Sequence, residues 1–404
     1  MKLMIYKGAP SGRVSAPPSK SMAHRLLISA AMAEGTSTVY GVSDCEDVSA
    51  TIDCLKALGA EITKNGDTVT VKGIDMRNAS PTSGLNCRES GSTLRFFIPI
   101  ALLSGRNTQF FGAEGLMRRP MGVYEKICEE KGYTYNADGS TIAVRGPFTA
   151  GSYEVVGNVS SQFISGLLFA LPTLDRDSRI KILPPIESRS YIDLTIEALA
   201  CFGVEVKWID DNTLYVKGNQ KYTPCDITVE GDYSGSAFID AFTVFGHDVG
   251  VDGLNPDSTQ GDKVYQSHFD MIKKGMPTIH VGNCPDLGPI LFATAAAKHG
   301  GVFTGTKRLK IKESDRAAAM AEELSKFGVS VTVYDDKVVV YPISFHPPTV
   351  PLNGHNDHRI VMALAVLLTL TGGEIDGAEA VSKSYPAFFD DLIKLGIKID
   401  GYET

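Results

Sequence analysis

The sequence predicts a mixed α/β fold made of six repeats of one βαβαββ-like unit, three in each of two domains. Six times a helix-like segment ends in a glycine and continues into a short strand rich in β-branched residues, at Gly59, Gly132, Gly203, Gly275, Gly328 and Gly396. The intervals between these glycines are 73, 71, 72, 53 and 68 residues. A glycine just past a helix accepts the left-handed conformation that ends it, and regular intervals of this kind indicate a repeat architecture.

A second series of helix-like segments keeps the same intervals. These segments are predicted to begin near Ser21, Ser92, Ser161, Ser236, Leu287 and Arg359. They are apolar on nearly every side, as in the run from Leu94 to Leu103, so we expect them to be buried. The helices that end at the glycines are amphipathic instead. In the last of them, one face carries Phe389, Leu392 and Leu395, and the other carries Asp390, Asp391 and Lys394.

Each domain is therefore expected to be an inside-out α/β barrel, with the buried helices inside and with sheets and amphipathic helices around them. The first three-repeat domain is predicted to span residues 15–230, and the second residues 1–14 together with 231–404. The partner of the N-terminal strand, Lys2 to Tyr6, does not follow from the periodicity. Because candidate site residues come from both halves of the chain, we expect the active site in the cleft between the domains.

Composition argues against several classes of protein. Of 404 residues, 43% are hydrophobic and 21% are charged, as in ordinary soluble globular proteins. The net charge of −8 argues against nucleic-acid binding, although a local cluster of Lys and Arg can still bind small anions. Seven dispersed cysteines without a Cys-x-x-Cys pair indicate a reducing compartment and no zinc site. The start does not resemble a signal peptide, and the longest apolar stretch is too short for a membrane span, so we expect a cytoplasmic protein.

The segments that lead into the helices are rich in hydroxyls, lysine and arginine. A helix N-terminus exposes unpaired N–H groups and a partial positive charge, so it can bind an anion. Basic side chains normally favour the opposite end, yet Lys20, Arg119, Lys312, Arg359 and Lys383 are all predicted at helix starts. This placement predicts a site for several phosphate or carboxylate groups. Taken singly, each segment is explained as well by ordinary capping and a solvated basic side chain.

Acidic residues accompany these cations. Asp286 could cap the fifth buried helix, and Glu313 and Asp315 could pair with Lys312 and Arg316. Within a basic cleft, however, a carboxylate can act as a general base or a general acid. The residue types alone leave both explanations open.

Two further side chains stand out within the helices. His358 could donate a proton or only orient its neighbours, and Arg95, inside an apolar helix, is expected to be paired. There is no Walker-type phosphate loop, no credible dinucleotide fingerprint and no His-Glu-x-x-His motif. We therefore expect chemistry on small anionic substrates with neither a cofactor nor a metal.

Taken together and in order, these segments resemble the EPSP synthase family of enolpyruvyl transferases over nearly the whole chain. The most specific matches are Pro18-Ser19-Lys20-Ser21 with Arg25, Ser160-Ser161-Gln162-Phe163, Lys312-Glu313-Ser314-Asp315-Arg316 and Asn356-Asp357-His358-Arg359. The resemblance implies two domains that close around the substrates. It also implies transfer of the enolpyruvyl group of phosphoenolpyruvate to the 5-hydroxyl of 3-phosphoshikimate, with release of phosphate.

The resemblance implies a role for each matching residue. Those expected to bind 3-phosphoshikimate are Lys20, Ser21, Arg25, Ser160, Ser161, Gln162, Ser188, Asp286 and Lys312. Those expected to bind phosphoenolpyruvate are Lys20, Gly91, Arg119, Gln162, Arg316, Arg359 and Lys383. Asp286 would take the proton of the attacking hydroxyl. Glu313, with Lys383 or Lys20 nearby, would protonate the methylene carbon and later remove that proton, and His358 is a further catalytic candidate.

Two positions depart from the commonest family pattern. Glu89 stands where many members carry Asn, which bears on the charge around phosphoenolpyruvate. Arg308 stands near the place of a substrate-contacting Asn in some members, and it is not assigned to the site.

Two alternative functions follow from the same features. The sister enzyme, UDP-N-acetylglucosamine enolpyruvyl transferase, typically uses a loop cysteine, which the stretch from Gly112 to Met117 lacks. A non-catalytic anion-binding relative would be expected to have lost one of Lys20, Asp286, Glu313 and Lys383, all of which are present. Because the repeats bury their own cores, a monomer is expected.

Overall fold

The chain folds into two units of mixed α/β structure in a computed structural model that describes residues 1–342 and 345–402. One unit is Lys20–Glu230, and the other joins Met1–Ser19 to Gly231–Thr404. Residues 15–19, which the sequence analysis gave to the first domain, therefore group with the second of these units. Each unit has a hydrophobic core of its own.

Apart from the four-residue helix α4, the helices alternate between the two predicted series. In chain order they are α1 (Lys20–Met32), α2 (Glu46–Leu58), α3 (Gly91–Leu103), α4 (Glu114–Met117), α5 (Gly122–Lys131), α6 (Ser161–Ala170), α7 (Arg189–Cys201), α8 (Tyr233–Asp240), α9 (Tyr265–Lys274), α10 (Gly288–Ala296), α11 (Arg316–Ser325), α12 (His358–Thr371) and α13 (Phe388–Lys394). The predicted buried helices are α1, α3, α6, α8, α10 and α12, and each begins within three residues of its predicted start.

The strands are short, as the sequence predicts. In chain order they are β1 (Lys2–Ile5), β2 (Gly12–Ser15), β3 (Gly35–Tyr40), β4 (Glu61–Asn65), β5 (Thr68–Gly73), β6 (Leu85–Asn86), β7 (Thr108–Phe111), β8 (Thr134–Ala137), β9 (Thr141–Arg145), β10 (Ser152–Val156), β11 (Ser178–Leu183), β12 (Val206–Trp208), β13 (Thr213–Val216), β14 (Asp226–Thr228), β15 (Val249–Asp252), β16 (Thr278–His280), β17 (Gly301–Thr304), β18 (Val331–Val333), β19 (Lys337–Val340), β20 (Leu352–Asn353), β21 (Gly373–Asp376) and β22 (Ile399–Asp400).

One four-stranded sheet pattern recurs along the chain. The strand orders are β14-β3-β5-β4, β6-β7-β9-β8, β10-β11-β13-β12, β16-β17-β19-β18 and β20-β21-β1-β22. In each sheet the first pair is parallel and the other two pairs are antiparallel. A parallel pair needs a crossover connection, whereas an antiparallel pair can be a hairpin. The recurrence confirms the predicted α/β repeat.

The fourth repeat is the exception, and its short interval has a structural cause. Its sheet is the two-stranded parallel pair β15-β2. The helix α9 leads directly to β16, which belongs to the next sheet, so within the described chain this repeat contributes no hairpin of its own. The missing hairpin accounts for the 53-residue interval.

The left-handed glycine prediction is confirmed at five of the six positions and is wrong at the sixth. The φ angles are 116°, 72°, 74°, 80° and 92° at Gly59, Gly132, Gly203, Gly328 and Gly396. At Gly275 φ is 163°, which is extended backbone. Here the chain continues straight into β16, and Pro277 holds the residue before it in extended conformation.

Several candidate site residues, among them Lys20, Ser161 and Arg359, lie in the first turns of the buried helices. In α12, every residue from His358 to Thr369 is buried. The amphipathic helices cover these cores, with one difference from the prediction: Asp391 in α13 is buried and accepts a hydrogen bond from the Tyr385 hydroxyl at 2.7 Å. Among the described residues, none of the helices has the length and apolar composition needed to cross a membrane.

A chain of hydrogen bonds joins three helices of the unit Lys20–Glu230. His24 Nδ1 in α1 lies 2.7 Å from Thr51 Oγ1 in α2, which lies 2.8 Å from Thr93 Oγ1 in α3. Burial, together with the charges of Lys20 and Arg25, holds the pKa of His24 well below its ordinary value. The imidazole is therefore neutral in the folded protein at neutral pH.

We predict that His24 makes folding stability fall with acidification. Between its lowered folded pKa and about 6.5, the unfolded chain binds more protons, so the group destabilises the fold by up to about 1.4 kcal/mol for each pH unit below 6.5. Urea unfolding of the wild type and His24→Gln at pH 7.5 and pH 5.5 measures this effect. The wild-type advantage over His24→Gln should shrink at pH 5.5, and a pH-independent difference would contradict the prediction.

Candidate active site

In the unit Lys20–Glu230, the first turn of α1 carries a cation held by a carboxylate. Lys20 is the first residue of α1, and its Nζ lies 2.7 Å from Oδ2 of Asp47 in the first turn of α2. Both side chains are mostly buried, with 15% and 11% of their surfaces exposed. A charge-assisted contact of this kind fixes the direction of the ammonium group.

Arg25 lies one turn further along α1 and is 2% exposed. Its guanidinium donates to Thr195 Oγ1 at 2.8 Å, to the Tyr191 carbonyl at 2.9 Å and to the Ser21 carbonyl at 2.6 Å. Burial lowers the pKa of Arg25 to about 10, so it remains charged at neutral pH. The α1 and α7 helices thus present a fixed positive charge beside Ser21.

A second group of predicted residues gathers where α3 and α6 begin. Gln162 Oε1 accepts from Arg95 Nη1 at 2.7 Å, and Gln162 Nε2 donates to Ser92 Oγ at 2.9 Å. A Cβ atom added at Gly91 would lie 2.8 Å from Arg119 Nη1 and 3.4 Å from Arg95 Nη1. Glycine at position 91 therefore leaves room for both guanidinium groups. Arg95 is buried and paired, as predicted.

The predicted serines lie at the starts of α6 and α7. Ser160 caps α6, accepting from the Gln162 N–H at 3.3 Å, and Ser161 is the first residue of that helix. Ser188 precedes α7, is 1% exposed and has φ 56°. Serine seldom adopts this left-handed conformation, and such strain is concentrated at ligand-binding sites.

In the other unit, the guanidinium of Arg316 is surrounded by three carboxylates. Its Nε donates to Asp357 Oδ2 at 2.8 Å, its Nη1 to Asp286 Oδ1 at 2.8 Å and its Nη2 to Glu313 Oε2 at 2.7 Å. Arg316 is 1% exposed and Asp357 is fully buried. Burial opposes the positive charge, but the three carboxylates outweigh it and raise the pKa of Arg316 well above its ordinary value.

The structure shows which contacts the acidic residues make. Asp286 does not cap α10, because it lies in a 3₁₀ turn, Pro285–Leu287, and pairs with Arg316 and with Lys312 Nζ at 3.1 Å. Glu313 pairs with Arg316, whereas Asp315 caps α11 by accepting from the Ala318 N–H at 3.1 Å. Both catalytic candidates are therefore tied to one cation.

The predicted helix starts are correct for two of the five cations. Lys20 begins α1 and Arg359 is the second residue of α12, while Arg119 lies between α4 and α5. The prediction is wrong for Arg119, and it is also wrong for Lys312 and Lys383, which lie at the carboxyl ends of the 3₁₀ helices Lys307–Ile311 and Ala378–Lys383. Turns this short leave no periodic pattern in the sequence, and a cation at that end agrees with the helix dipole.

Arg359 is the cation best placed to receive a further anion. It is 3% exposed, its Nη2 lies 3.6 Å from Asp286 Oδ2, and its guanidinium lies over the Phe238 ring at 5.6 Å. Its Nε and Nη1 hydrogen-bond to no atom of the described residues. Buried guanidinium nitrogens ordinarily have partners, so this arrangement suits a carboxylate or phosphate ligand.

The remaining candidates of this unit are Lys312, Lys383 and His358. Burial lowers the pKa of the Lys312 ammonium, while the charge of Asp286 opposes that effect. Lys383 Nζ donates to the Asn356 carbonyl at 2.7 Å and to Asn356 Oδ1 at 2.8 Å. His358 is buried as the first residue of α12.

Three orienting side chains have no role in the sequence analysis. Asp47 lies 27 residues from Lys20, and no local pattern connects them. Asp357 and Asn356 belong to a segment quoted for its resemblance but were given no function. Of the three, only Asp357 has a role that the sequence could have predicted, because an aspartate just before an apolar helix is a favoured cap. In the structure Asp357 does accept a hydrogen bond from the Arg359 N–H at 2.9 Å.

The two positions that depart from the family pattern lie differently. Arg308 is 7% exposed, and its Nη1 donates to the Gly282 carbonyl at 3.3 Å. Glu89 is half-buried and precedes the cap residue of α3, Ser90.

We predict that Arg316→Met destabilises the protein more than Asp357→Asn does. Removing Arg316 leaves the fully buried Asp357 charge without its cation, which costs about 3–5 kcal/mol. Asp357→Asn leaves Arg316 two other carboxylates, so we expect a loss of about 1–3 kcal/mol. Urea unfolding followed by circular dichroism measures both values, and the reverse order would contradict the central place given to Arg316.

The chain is similar to known proteins over nearly its whole length. The chain matches the family model for EPSP synthase (3-phosphoshikimate 1-carboxyvinyltransferase) over residues 7–392. It is 38% identical to the 3-phosphoshikimate 1-carboxyvinyltransferase of Clostridium beijerinckii, with 100% of this chain and 99% of that protein covered. It is 39% identical to the one of Clostridium novyi, with 98% of each covered. A solved EPSP synthase structure from Acinetobacter baumannii matches with a TM-score of 0.78 at 25% identity, covering 99% of both chains. The chain therefore belongs to the EPSP synthase (3-phosphoshikimate 1-carboxyvinyltransferase) family.

Proposed function

We propose that this protein transfers the enolpyruvyl group of phosphoenolpyruvate to the 5-hydroxyl of 3-phosphoshikimate and releases phosphate, a step of the shikimate pathway. The observation that carries the proposal is the pair of carboxylates, Asp286 and Glu313, that contact one buried guanidinium, Arg316. The reaction moves one proton from the attacking hydroxyl and another to and from the methylene carbon, so two carboxyl groups can serve one site each. Family membership supports the same reaction.

Phosphoenolpyruvate presents a carboxylate and a phosphate, both of which suit arginine forks. In one unit, Arg359 offers two guanidinium nitrogens that bond to no described protein atom, with Lys383 as a second cation. In the other, Arg119 lies beside Gly91 near Gln162. We propose that these residues, with Arg316 and Lys20, bind the donor.

3-Phosphoshikimate presents a phosphate, a carboxylate and hydroxyls. The fixed charge of Arg25 lies beside Ser21 on α1, and further hydroxyls come from the starts of α6 and α7. We propose that the acceptor is bound by Lys20, Ser21, Arg25, Ser160, Ser161, Gln162, Ser188, Asp286 and Lys312.

In the proposed mechanism, the oxygen of the 5-hydroxyl attacks C2 of phosphoenolpyruvate, and Asp286 accepts the proton that this hydroxyl loses. Glu313, with Lys383 or Lys20 nearby, protonates the methylene carbon, which gives a tetrahedral intermediate. The bond from C2 to the phosphate oxygen then breaks, and the methyl group loses a proton to Glu313 as the double bond forms again. The surrounding cations stabilise the charge that develops on the intermediate, and His358 remains a candidate for orientation or proton donation.

The reaction requires both sets of residues to act on one substrate pair, and we propose that they do so with closure of the two domains. Closure would exclude water from the reactive intermediate. Hydrogen exchange with 3-phosphoshikimate added should show protection in both units, around residues 20–25 and 312–316. Protection in one unit alone would count against this part of the proposal.

We further propose that the enzyme is a cytoplasmic monomer. All seven cysteines are free thiols, which supports a reducing compartment. A hydrophobic core in each unit supports folding without a partner chain. Light scattering on the purified protein tests the monomer directly.

The deciding experiment is an assay of phosphate release from phosphoenolpyruvate with 3-phosphoshikimate as acceptor, repeated with UDP-N-acetylglucosamine. Release with the first acceptor only is expected. Release with the UDP sugar only would favour the sister activity, and absence of release with both would favour a non-catalytic anion-binding protein.

We predict that Asp286→Ala and Glu313→Ala each lower kcat by roughly 10²–10⁴-fold, the usual contribution of a general acid or base. Each variant leaves Arg316 with two carboxylates, so both should fold. A matched control is Asp335→Ala, which removes an exposed carboxylate that pairs with Lys310 at 3.0 Å. Steady-state kinetics with a circular dichroism check distinguishes lost chemistry from lost folding, and wild-type turnover in both variants would refute the acid and base assignments.

A further inference from the structure

The loop that precedes α12 contains backbone that side chains rarely adopt. His355 and Asn356 have φ angles of 49° and 50°. Two successive non-glycine residues in the left-handed region are strained, and such strain persists only where surrounding contacts hold it. Within this loop, the His355 N–H donates to Asn353 Oδ1 at 2.8 Å.

One buried carboxylate outside the predicted site holds this loop. Glu323, near the end of α11, is fully buried. Its Oε2 accepts from the Asn353 N–H at 2.9 Å, and its Oε1 lies 3.0 Å from His355 Nε2. Lys326 Nζ donates to both oxygens at 2.9 and 2.8 Å and lies 3.3 Å from the Pro351 carbonyl. A buried carboxylate with this many partners fixes the groups around it.

The same loop orients two cations of the candidate site. Asn356 accepts twice from Lys383 Nζ, and the next residue, Asp357, accepts from Arg316. Arg316 is the first residue of α11, and Glu323 follows seven positions later. Two residues seven positions apart lie on the same face of a helix, about 10 Å apart along its axis. Thus α11 contacts both ends of the segment from Asn353 to Asp357, through Glu323 at one end and Arg316 at the other.

We propose that Glu323 is a positioning residue for phosphoenolpyruvate. It holds the strained loop so that Asn356 directs the Lys383 ammonium and Asp357 directs the Arg316 guanidinium. The inference rests on the proposed function, in which Lys383 and Arg316 bind phosphoenolpyruvate. Glu322, Glu323 and His355 also lie close enough together to suit a metal ion, but the Lys326 ammonium already contacts both Glu323 oxygens.

Glu323→Gln tests the proposal, with the exposed neighbour Glu322→Gln as its matched control. Glutamine keeps the size of the side chain but loses the charge and one acceptor oxygen. We expect the KM for phosphoenolpyruvate to rise roughly tenfold and the KM for 3-phosphoshikimate to change less than about twofold. The reason is that Lys383 and Arg316, once misoriented, would bind phosphoenolpyruvate more weakly. Glu322→Gln should match the wild type.

A second readout does not depend on turnover. Hydrogen exchange of the segment 351–358 should become faster in Glu323→Gln and not in Glu322→Gln, because the Asn353 N–H loses its charged acceptor. This result is expected even if the wild type shows no reaction with the two substrates, so failure of the proposed function and failure of this inference are distinguishable.

If Glu323→Gln does not yield folded protein, His355→Gln removes one contact of the loop from a side chain that is 20% exposed. The same selective rise in the KM for phosphoenolpyruvate is expected, with a smaller size. Folded variants whose two KM values stay within twofold of wild type, or rise equally, would overturn the proposal, as would unchanged hydrogen exchange in Glu323→Gln.

Discussion

The guanidinium of Arg316 in contact with three carboxylates is the interaction on which the C-terminal part of the site depends. It connects the 3₁₀ turn of Asp286, the segment of Glu313 and the cap of α12, Asp357. Burying the Arg316 guanidinium without the carboxylates would destabilise the fold, and so would burying the carboxylates without the guanidinium. The same contacts that compensate the charges also fix the two proposed proton-transfer groups.

The cations of the other unit are also held in place by protein groups, since Lys20, Arg25 and Arg95 each have a hydrogen-bond partner. Fixed cations do not need to be reorganised when charge develops on a substrate, which is the physical basis of electrostatic catalysis. The repeat makes this possible because α1, α3, α6, α10 and α12 are buried helices whose starts carry the polar side chains or lie next to them.

Much of the fold follows from the sequence because its signals are local. Apolar runs mark the buried helices, whose starts lie within three residues of prediction. Glycines mark the ends of the amphipathic helices, and the left-handed conformation is absent only at Gly275, where the hairpin after α9 is missing. Candidate site residues can be proposed from their types, but the contacts between them cannot be predicted. Asp47 and Lys20 meet across 27 residues and Arg316 and Asp357 across 41, and no periodicity encodes such contacts. The 3₁₀ helices before Lys312 and Lys383 are too short to leave a pattern.

The strand β1 has a consequence for how the chain is made. It pairs with β21 and β22, so residues 2–5 meet partners that the ribosome synthesises long after them. The segment Lys20–Glu230 contains every strand of its three four-stranded sheets, including the pair β3 and β14 from its two ends, so it can complete its core while synthesis continues. The strand β1 can pair with β21 and β22 only after both have emerged, and contacts this distant in sequence are slow to form.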